Sequence, residues 1–303
     1  MTTTSVDKDT AVRALVFQYL QELSRGHGDV IPFAPLSEGI RFEGERVPLL
    51  GPQGIFKPKV LSLPLSISTS PNSPYDNSFT EAGLLRYRYR GTDQNHPDNV
   101  GLRRTMELGK PLVYFHGVIK GRYVPAWPVY VVGDDPPNLT FSVAVDDAVM
   151  ISYSSENETR DSEVIIRRRY LTSAVRIRLH QRLFRERVLD AYRNACALCR
   201  LAYPELLEAA HIIPDADERG EPRISNGLSL CKLHHAAFDK RILGIRPDYV
   251  AEIRLDILHE IDGPMLKHGL QEMHNRKIWV PRSTANKPDR AALEERYEHF
   301  RAA

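Results

Sequence analysis

The sequence of 303 residues predicts an α+β protein in two parts, a β-rich N-terminal part and a mixed C-terminal part. Short apolar runs bounded by glycine, proline and paired acidic residues recur up to about residue 147, and runs such as Val129–Val132 and Leu139–Val145 predict strands. Apolar residues recur every three or four positions from Thr172 onward and again in 289–300, which predicts helices. All the cysteines lie between residues 196 and 231, among histidines, which predicts a compact metal-stapled motif.

We expect a β-rich domain over residues 1–152, a linker over 153–165 and a second domain over 166–303. The segment Ser154–Thr159 is polar and lacks apolar periodicity, as linkers do. A helix from about Thr10 to Leu23 is expected to open the first domain. Its candidates for inward-facing positions are Ala11, Ala14, Leu15, Leu20 and Leu23.

Residues 85–90 alternate between two kinds of side chain, which is the period of a strand. Arg86, Arg88 and Arg90 share one face, while a leucine and two tyrosines share the other. Arginines bind phosphate oxygens and aromatic rings stack on an exposed base, so this strand is a candidate DNA surface. Candidates for a pocket around an extruded base, with an acid to test its edge, are Tyr87, Tyr89, Tyr114, Trp127 and Asp93. The alternative is that these aromatics are core residues, and for any single one that alternative is favoured.

Two pairs of soft ligands have the spacing that lets a turn present both to one zinc ion. They are Cys196 with Cys199, and Cys231 with His234. His234 and His235 are adjacent, so in a helix their side chains point about 100° apart and only one can join the set. The spacing from Cys231 selects His234. A structural Zn²⁺ is expected here, and a zinc ribbon without catalysis is the simplest alternative.

Four further polar residues within this segment suit phosphodiester hydrolysis. A histidine on a strand, His211, could deprotonate a water, and the side-chain carbonyl of Asn226 could hold its ring. His235 and Asp239 are four residues apart in a predicted helix and therefore share one face. An imidazole and a carboxylate together suit a divalent cation such as Mg²⁺, Mn²⁺ or Ni²⁺, which would stabilise charge that develops on the phosphate.

The ordered pattern C-x-x-C, A-H-I-x-P, N-G-L-x-L-C and H-x-x-F-D resembles the McrA-like HNH, or ββα-metal, endonucleases. The resemblance covers roughly residues 188–250. It implies a zinc-stapled ββα domain that hydrolyses DNA, in which Asn226 orients the general base His211. Two positions depart from the pattern. The family more often has cysteine where this chain has His234, and Ala210 stands where many HNH enzymes carry an aspartate or histidine that binds metal. The catalytic cation is therefore expected to have fewer protein ligands.

An arginine-rich run precedes the motif. Between Arg160 and Arg187 the chain carries nine arginines against three acids, and those after Thr172 fall on the polar faces of a predicted helix. The overall net charge is only +2, so DNA affinity must come from such local patches. The alternative is a solvated helix face. The candidates for phosphate contact are Arg167, Arg168, Arg169, Arg176, Arg178 and Arg182.

The N-terminal part resembles, at the level of the fold alone, the PUA/SRA-like β-barrels that read modified cytosine. Together the two resemblances imply a modification-dependent restriction endonuclease that acts on double-stranded DNA. A homodimer is expected, because one HNH site cuts one strand. Two alternatives remain open: an HNH nuclease on unmodified DNA, either sequence-specific or nonspecific, and a non-catalytic zinc-ribbon protein that binds nucleic acid.

The sequence also favours a cytoplasmic location. It has no apolar run long enough to span a bilayer, and its first residues lack the basic and apolar regions of a secretory signal. Cysteines committed to a metal indicate a reducing compartment. No membrane partner is expected.

Overall fold

The computed structural model describes residues 7–70, 84–145, 179–215, 217 and 219–303. The chain divides into two compact units, Met1–Arg182 and Leu183–Ala303. The predicted linker, 153–165, lies outside the described residues. Within the described parts of the chain, no helix has both the length and the apolar character needed to cross a lipid bilayer.

Up to residue 145, the described part of the first unit consists mainly of short strands, with three helices. Its elements are, in chain order, α1 (Lys8–His27), β1 (Ile31–Pro32), α2 (Phe33–Glu38), β2 (Ile40–Phe42), β3 (Glu45–Val47), β4 (Ile55–Phe56), β5 (Ser66–Thr69), β6 (Leu85–Arg88), α3 (Pro97–Glu107), β7 (Leu112–Ile119), β8 (Arg122–Asp135) and β9 (Thr140–Val145).

One mixed sheet organises this unit. Its strand order is β4-β5-β7-β8-β9-β6, with β1 pairing to β8 off this path. β5 and β7 are parallel, and the other neighbours in the sheet are antiparallel. The sheet curls into a half-barrel. The predicted strands over 129–132 and 139–145 fall in β8 and β9, so the β-rich character of this part is confirmed, while its likeness to PUA/SRA domains stays a prediction.

Helix α1 turns a different face to the core from the one predicted. Leu20 is buried as expected, but Val12 and Val16 fill the other inward positions, and Leu15 is 42% exposed. Arg13 is also buried, because its guanidinium pairs with Asp9 at 2.6 Å and donates to backbone carbonyls. A satisfied ion pair can occupy a core position that apolar periodicity alone assigns elsewhere.

The second unit contains two hairpins and five α-helices within its described residues. Its elements are α4 (179–191, which begins in the first unit), β10 (Leu207–His211), β11 (Gly227–Cys231), α5 (Lys232–Asp239), β12 (Leu243–Ile245), β13 (Ala251–Ile253), α6 (Leu255–Leu258), α7 (Pro264–Gly269) and α8 (Arg290–Arg301).

A ββα arrangement forms the centre of this unit. β10 and β11 are antiparallel, and α5 begins at the residue after β11 ends. Their apolar side chains share one core with α4, β12, β13 and α8. The predicted C-terminal helix is present as α8, whose N-cap Asp289 accepts from the backbone of Ala291 and Ala292.

Candidate active site

A cluster of three cysteines and one histidine lies at one end of the β10–β11 hairpin. The ligand atoms of Cys196, Cys199, Cys231 and His234 all lie within 4.8 Å of one another. The sulfurs of Cys199 and Cys231 are 4.0 Å apart, and Nδ1 of His234 is 3.1 Å from the Cys231 sulfur. Zinc–sulfur bonds of about 2.3 Å in a tetrahedron place two sulfurs about 3.8 Å apart. The four side chains therefore fit a structural zinc ion.

The surroundings of His234 prepare its Nδ1 atom for a cation. Its Nε2 donates a hydrogen bond to the carbonyl of Gly269 at 2.7 Å, which leaves the lone pair on Nδ1 facing the sulfurs. Burial lowers the pKa of His234, but hydrogen bonds and charge interactions with Cys196 and Cys231 outweigh burial and raise the pKa to about 10. The sulfurs therefore attract positive charge at Nδ1, where a zinc ion would take the place of the proton. His235 is the histidine outside the cluster.

The hairpin connects this cluster to a second group of polar side chains. Leu207 pairs with Cys231 at one end of the ladder, and His211 pairs with Gly227 at the other. Helix α5 follows Cys231 directly, so it buries His234 and leaves His235 partly exposed on another face. One short motif thereby carries the four candidate zinc ligands and also positions His211 and His235.

His211 is partly buried against an aromatic ring that the sequence reading had not singled out for the site. Phe184 of α4 stacks on its imidazole with ring centroids 4.0 Å apart and planes 17° from parallel. Burial lowers the pKa of His211, as does His235, while Asp215 and Asp239 oppose the shift. Nε2 of His211 is buried and has no hydrogen-bond partner among the described residues. The lowered pKa keeps the imidazole neutral at neutral pH, which is the form that can accept a proton.

Gly227 makes the stacking possible. A Cβ atom at this position would stand 2.4 Å from Cγ2 of Val188 and 3.0 Å from Cζ of Phe184. Any other side chain would therefore push α4 away from the hairpin and move the ring that covers His211. The glycine of the Asn-Gly-Leu segment is explained by this close packing of α4 against β11.

Asn226 makes different contacts from those predicted. Its Oδ1 accepts from the backbone N–H of Ile213 at 2.9 Å, and its Nδ2 donates to the carbonyls of Ile213 and Glu221 at 3.1 and 3.2 Å. Both ends of the carboxamide thus hold the backbone that follows His211, not its ring. A buried amide has several bonds to satisfy, and adjacent backbone groups satisfy them here. Asn226 fixes where the strand carrying His211 ends.

His235 and Asp239 come together as the helical spacing predicts. Nε2 of His235 is 3.3 Å from Oδ2 of Asp239. Neighbouring ligands of an octahedral cation with bonds of about 2.1 Å lie about 3.0 Å apart, so both atoms can reach one ion. The chemistry of the pair, one imidazole nitrogen and one carboxylate oxygen, fits Mg²⁺, Mn²⁺ or Ni²⁺.

Two charged residues that sequence reasoning missed border this pair. Glu208 of β10 contacts Nδ1 of His235 at 2.5 Å through its Oε2. Arg296 of α8 reaches Oδ1 of Asp239 at 3.3 Å, and its guanidinium lies over the ring of Phe238. Glu208 stands three residues before His211, which could have drawn attention to it. Arg296 is far away in the sequence, and no spacing rule indicates it.

The predicted DNA surface on β6 has the expected alternation. Arg86, Arg88 and Arg90 are exposed, and the intervening side chains are buried. Arg90 forms a salt bridge with Asp98 and also donates to Gln53. The predicted edge-reading residue, Asp93, is exposed and bonds the backbone of Asn95 in its own loop.

The predicted base-pocket tyrosines lie in the core. Tyr87, Tyr89 and Tyr114 are 5%, 6% and 2% exposed, and Trp127 is partly buried against the core. The hydroxyl of Tyr87 donates to the carbonyl of Ser68, and that of Tyr114 contacts Thr69 and His116. These rings already pack on protein and have polar partners, so this conformation does not present them to a base. Because side chains alternate between the two faces along residues 85–90, the face that exposes the arginines leaves Tyr87 and Tyr89 buried.

Most of the arginine-rich run, including Arg167, Arg168, Arg169, Arg176 and Arg178, lies outside the described residues. Arg182 is described, and it forms a salt bridge with Asp29 at 2.7 Å. Arg185 donates to the backbone carbonyls of Pro204 and Leu207 and thus anchors α4 to the start of β10. In this structure the guanidinium groups of Arg182 and Arg185 therefore bind other groups of the protein.

One family of known proteins matches this part of the chain. A family described as "HNH endonuclease" matches residues 196–246, which span the cysteine cluster, His211, Asn226, His235 and Asp239. The chain therefore carries an HNH endonuclease domain, and it is a DNA endonuclease. The enzyme class predicted from the motif is confirmed.

A solved structure titled "Modification dependent TagI restriction endonuclease" overlaps 78% of this chain and 81% of its own, with 16% sequence identity and a TM-score of 0.28. No curated protein matches the chain.

Proposed function

We propose that this chain is a modification-dependent restriction endonuclease that hydrolyses phosphodiester bonds of double-stranded DNA. The observation that carries the hydrolytic part is His211: its half-buried ring stacks on Phe184, and burial holds its pKa below the ordinary value. At neutral pH the ring is therefore an unprotonated base within the HNH segment.

In this proposal His211 takes the proton from the attacking water. His235 and Asp239 hold the divalent cation, which when bound stabilises the charge that develops on the phosphate and the leaving oxygen. Asn226 fixes the backbone beyond His211, and Phe184 holds its ring. The cluster of Cys196, Cys199, Cys231 and His234 holds a structural Zn²⁺ that joins the hairpin to α5.

We propose that the N-terminal unit selects the substrate, with modified cytosine as the feature it reads. The exposed arginines of β6 would hold the phosphate backbone, and those of the run over 160–187 would add contacts next to the nuclease unit. Since one HNH site cuts one strand, we also propose that two copies of the chain act together on a duplex.

The first experiment compares plasmids of one sequence, cytosine-methylated and unmodified, with Mg²⁺, Mn²⁺, Ni²⁺ or EDTA, alongside His211→Ala. Cutting of methylated DNA alone, lost with EDTA and in the variant, is the expected result. Equal cutting of both plasmids would retain the nuclease and remove the methylcytosine reading. If neither is cut, plasmids with hydroxymethylcytosine or phosphorothioate follow, and failure on all of them would leave a zinc-dependent binder of nucleic acid.

A further inference from the structure

Glu208 and His235 approach each other from two different elements of the second unit. Glu208 lies on β10, three residues before His211, and His235 lies on α5. Oε2 of Glu208 is 2.5 Å from Nδ1 of His235, while Nε2 of the same ring faces Oδ2 of Asp239 at 3.3 Å. His235 is therefore held between two carboxylates, one at each nitrogen.

The two nitrogens of an imidazole have opposite roles when the ring binds a metal. The nitrogen that donates its proton to a carboxylate leaves the other with a free lone pair, and this hydrogen bond also fixes the orientation of the ring and raises its basicity. Only Nε2 of His235 can face a cation shared with Asp239. A proton on Nδ1, donated to Glu208, is the arrangement that keeps Nε2 free.

We propose that Glu208 is a positioning residue, which holds His235 in the tautomer and orientation that let its Nε2 bind the catalytic cation. The inference deepens the proposed function, because it rests on the assignment of His235 and Asp239 as cation ligands. It adds a carboxylate–histidine–metal chain in which the carboxylate acts through the histidine and does not itself bind the cation.

A direct metal-ligand role for Glu208 does not fit the geometry. Among the residues that the structure describes, the zinc cluster is the one group of three or more potential ligands whose atoms all lie within 4.8 Å of one another. Glu208, His235 and Asp239 do not meet that condition. With only two side chains facing the cation, the orientation of each has a large effect on affinity.

The test measures Mn²⁺ binding and the histidine tautomer in the full-length, zinc-loaded protein. Glu208→Ala is compared with Glu208→Gln, which retains an oxygen that can accept from Nδ1–H. Glu205→Ala removes an exposed carboxylate just before the same strand and is the matched control. Zinc content shows whether each variant is folded.

We expect Glu208→Ala to weaken Mn²⁺ binding by about 10- to 100-fold, Glu208→Gln by less, and Glu205→Ala not at all. Nitrogen-15 chemical shifts, with His235 assigned through His235→Asn, should report a protonated Nδ1 in the parent protein and a mixture of tautomers in Glu208→Ala. An unchanged tautomer together with unchanged Mn²⁺ affinity would overturn the proposal.

A double variant separates positioning from direct ligation. If Glu208 acts through His235, then Glu208→Ala in a His235→Ala background should cause no further loss of Mn²⁺ affinity. A further loss of tenfold or more would make Glu208 a ligand and contradict the proposal. Because these measurements need no DNA, they are separate from cleavage: a normal tautomer and Mn²⁺ response with no cutting of any plasmid would reject the proposed function and leave the role of Glu208 intact.

Discussion

Two groups of buried polar side chains, one around Tyr89 in the first unit and one around His211 in the second unit, differ in whether their hydrogen bonds are satisfied. In the first unit, Tyr89 donates to Asp134, Arg103 donates to the same aspartate at 2.6 Å, and Arg103 also contacts the Tyr89 hydroxyl. In the second unit, Nε2 of His211 is buried with no partner among the described residues. A buried polar group that remains unpaired costs stability, and at His211, within the HNH segment, a role in the reaction explains why that cost is tolerated.

His211→Ala should have the largest effect on activity. Loss of the base is expected to lower the cleavage rate by about 10²- to 10⁴-fold, because proton removal from water then has no positioned acceptor. The measurement is single-turnover plasmid cleavage, with zinc content and thermal unfolding unchanged. His259→Ala, at an exposed histidine of the same unit, is the control. A loss of zinc in His211→Ala would assign that histidine a structural role.

Cys196→Ser should remove the zinc cluster. The sulfur is buried and lies 3.5 Å from Nδ1 of His234, so serine would leave an incomplete ligand set in the core. We expect most of the bound zinc to be lost and the second unit to be destabilised by several kcal/mol. Metal analysis and thermal unfolding check this. A variant with full zinc content and unchanged stability would contradict the four-ligand assignment.

The pH dependence of cleavage tests the burial of His211. Its active form is neutral, and burial lowers its pKa below the ordinary value of 6.5, so activity should be complete at neutral pH and fall only in more acidic solution. Phe184→Ala exposes the ring to water, and the acid limb should then move upward toward pH 6.5. The experiment is a pH–rate profile at saturating Mn²⁺. If the acid limb of Phe184→Ala stays where it is in the parent protein, then burial by the Phe184 ring is excluded as the cause of the lowered pKa of His211.

Arg86→Gln tests whether the exposed face of β6 binds DNA. Removal of one phosphate contact should weaken binding severalfold at low salt and reduce the slope of log affinity against log salt by about 1. Arg41→Gln, at another exposed arginine of the first unit, is the control. Equal affinities for the parent protein and Arg86→Gln would remove this strand from the interface.

Tyr89→Phe should have the smallest effect of these changes, and it tests whether the buried hydroxyl of Tyr89 serves stability alone. The change removes a hydroxyl but leaves the pair of Arg103 and Asp134, so a loss of about 1 kcal/mol in the free energy of unfolding is expected. Cleavage by the folded variant should be unchanged, since the hydroxyl serves the core. A selective loss of cutting on methylated DNA, with stability unchanged, would instead assign Tyr89 a role in substrate recognition.

Local spacing explains what could be predicted in the second unit. Cys196 with Cys199, and Cys231 with His234, are close in the chain, and the turns between them bring their ligand atoms together. The two strands and helix of the ββα motif follow from short apolar runs and from the helical spacing of His235 and Asp239. Helix α8 likewise follows from the apolar residues that recur every three or four positions in 289–300.

The sequence by itself thus determined the ligand pairs, the elements that carry them and the chemical class of the site. Only the tertiary structure decided that Phe184 covers His211, that Asn226 holds backbone, that Glu208 and Arg296 border the cation pair, and that Tyr87 and Tyr114 are core residues. The physical reason is that contacts within a turn or a helix follow from backbone geometry, whereas contacts between distant segments depend on how helices and strands pack.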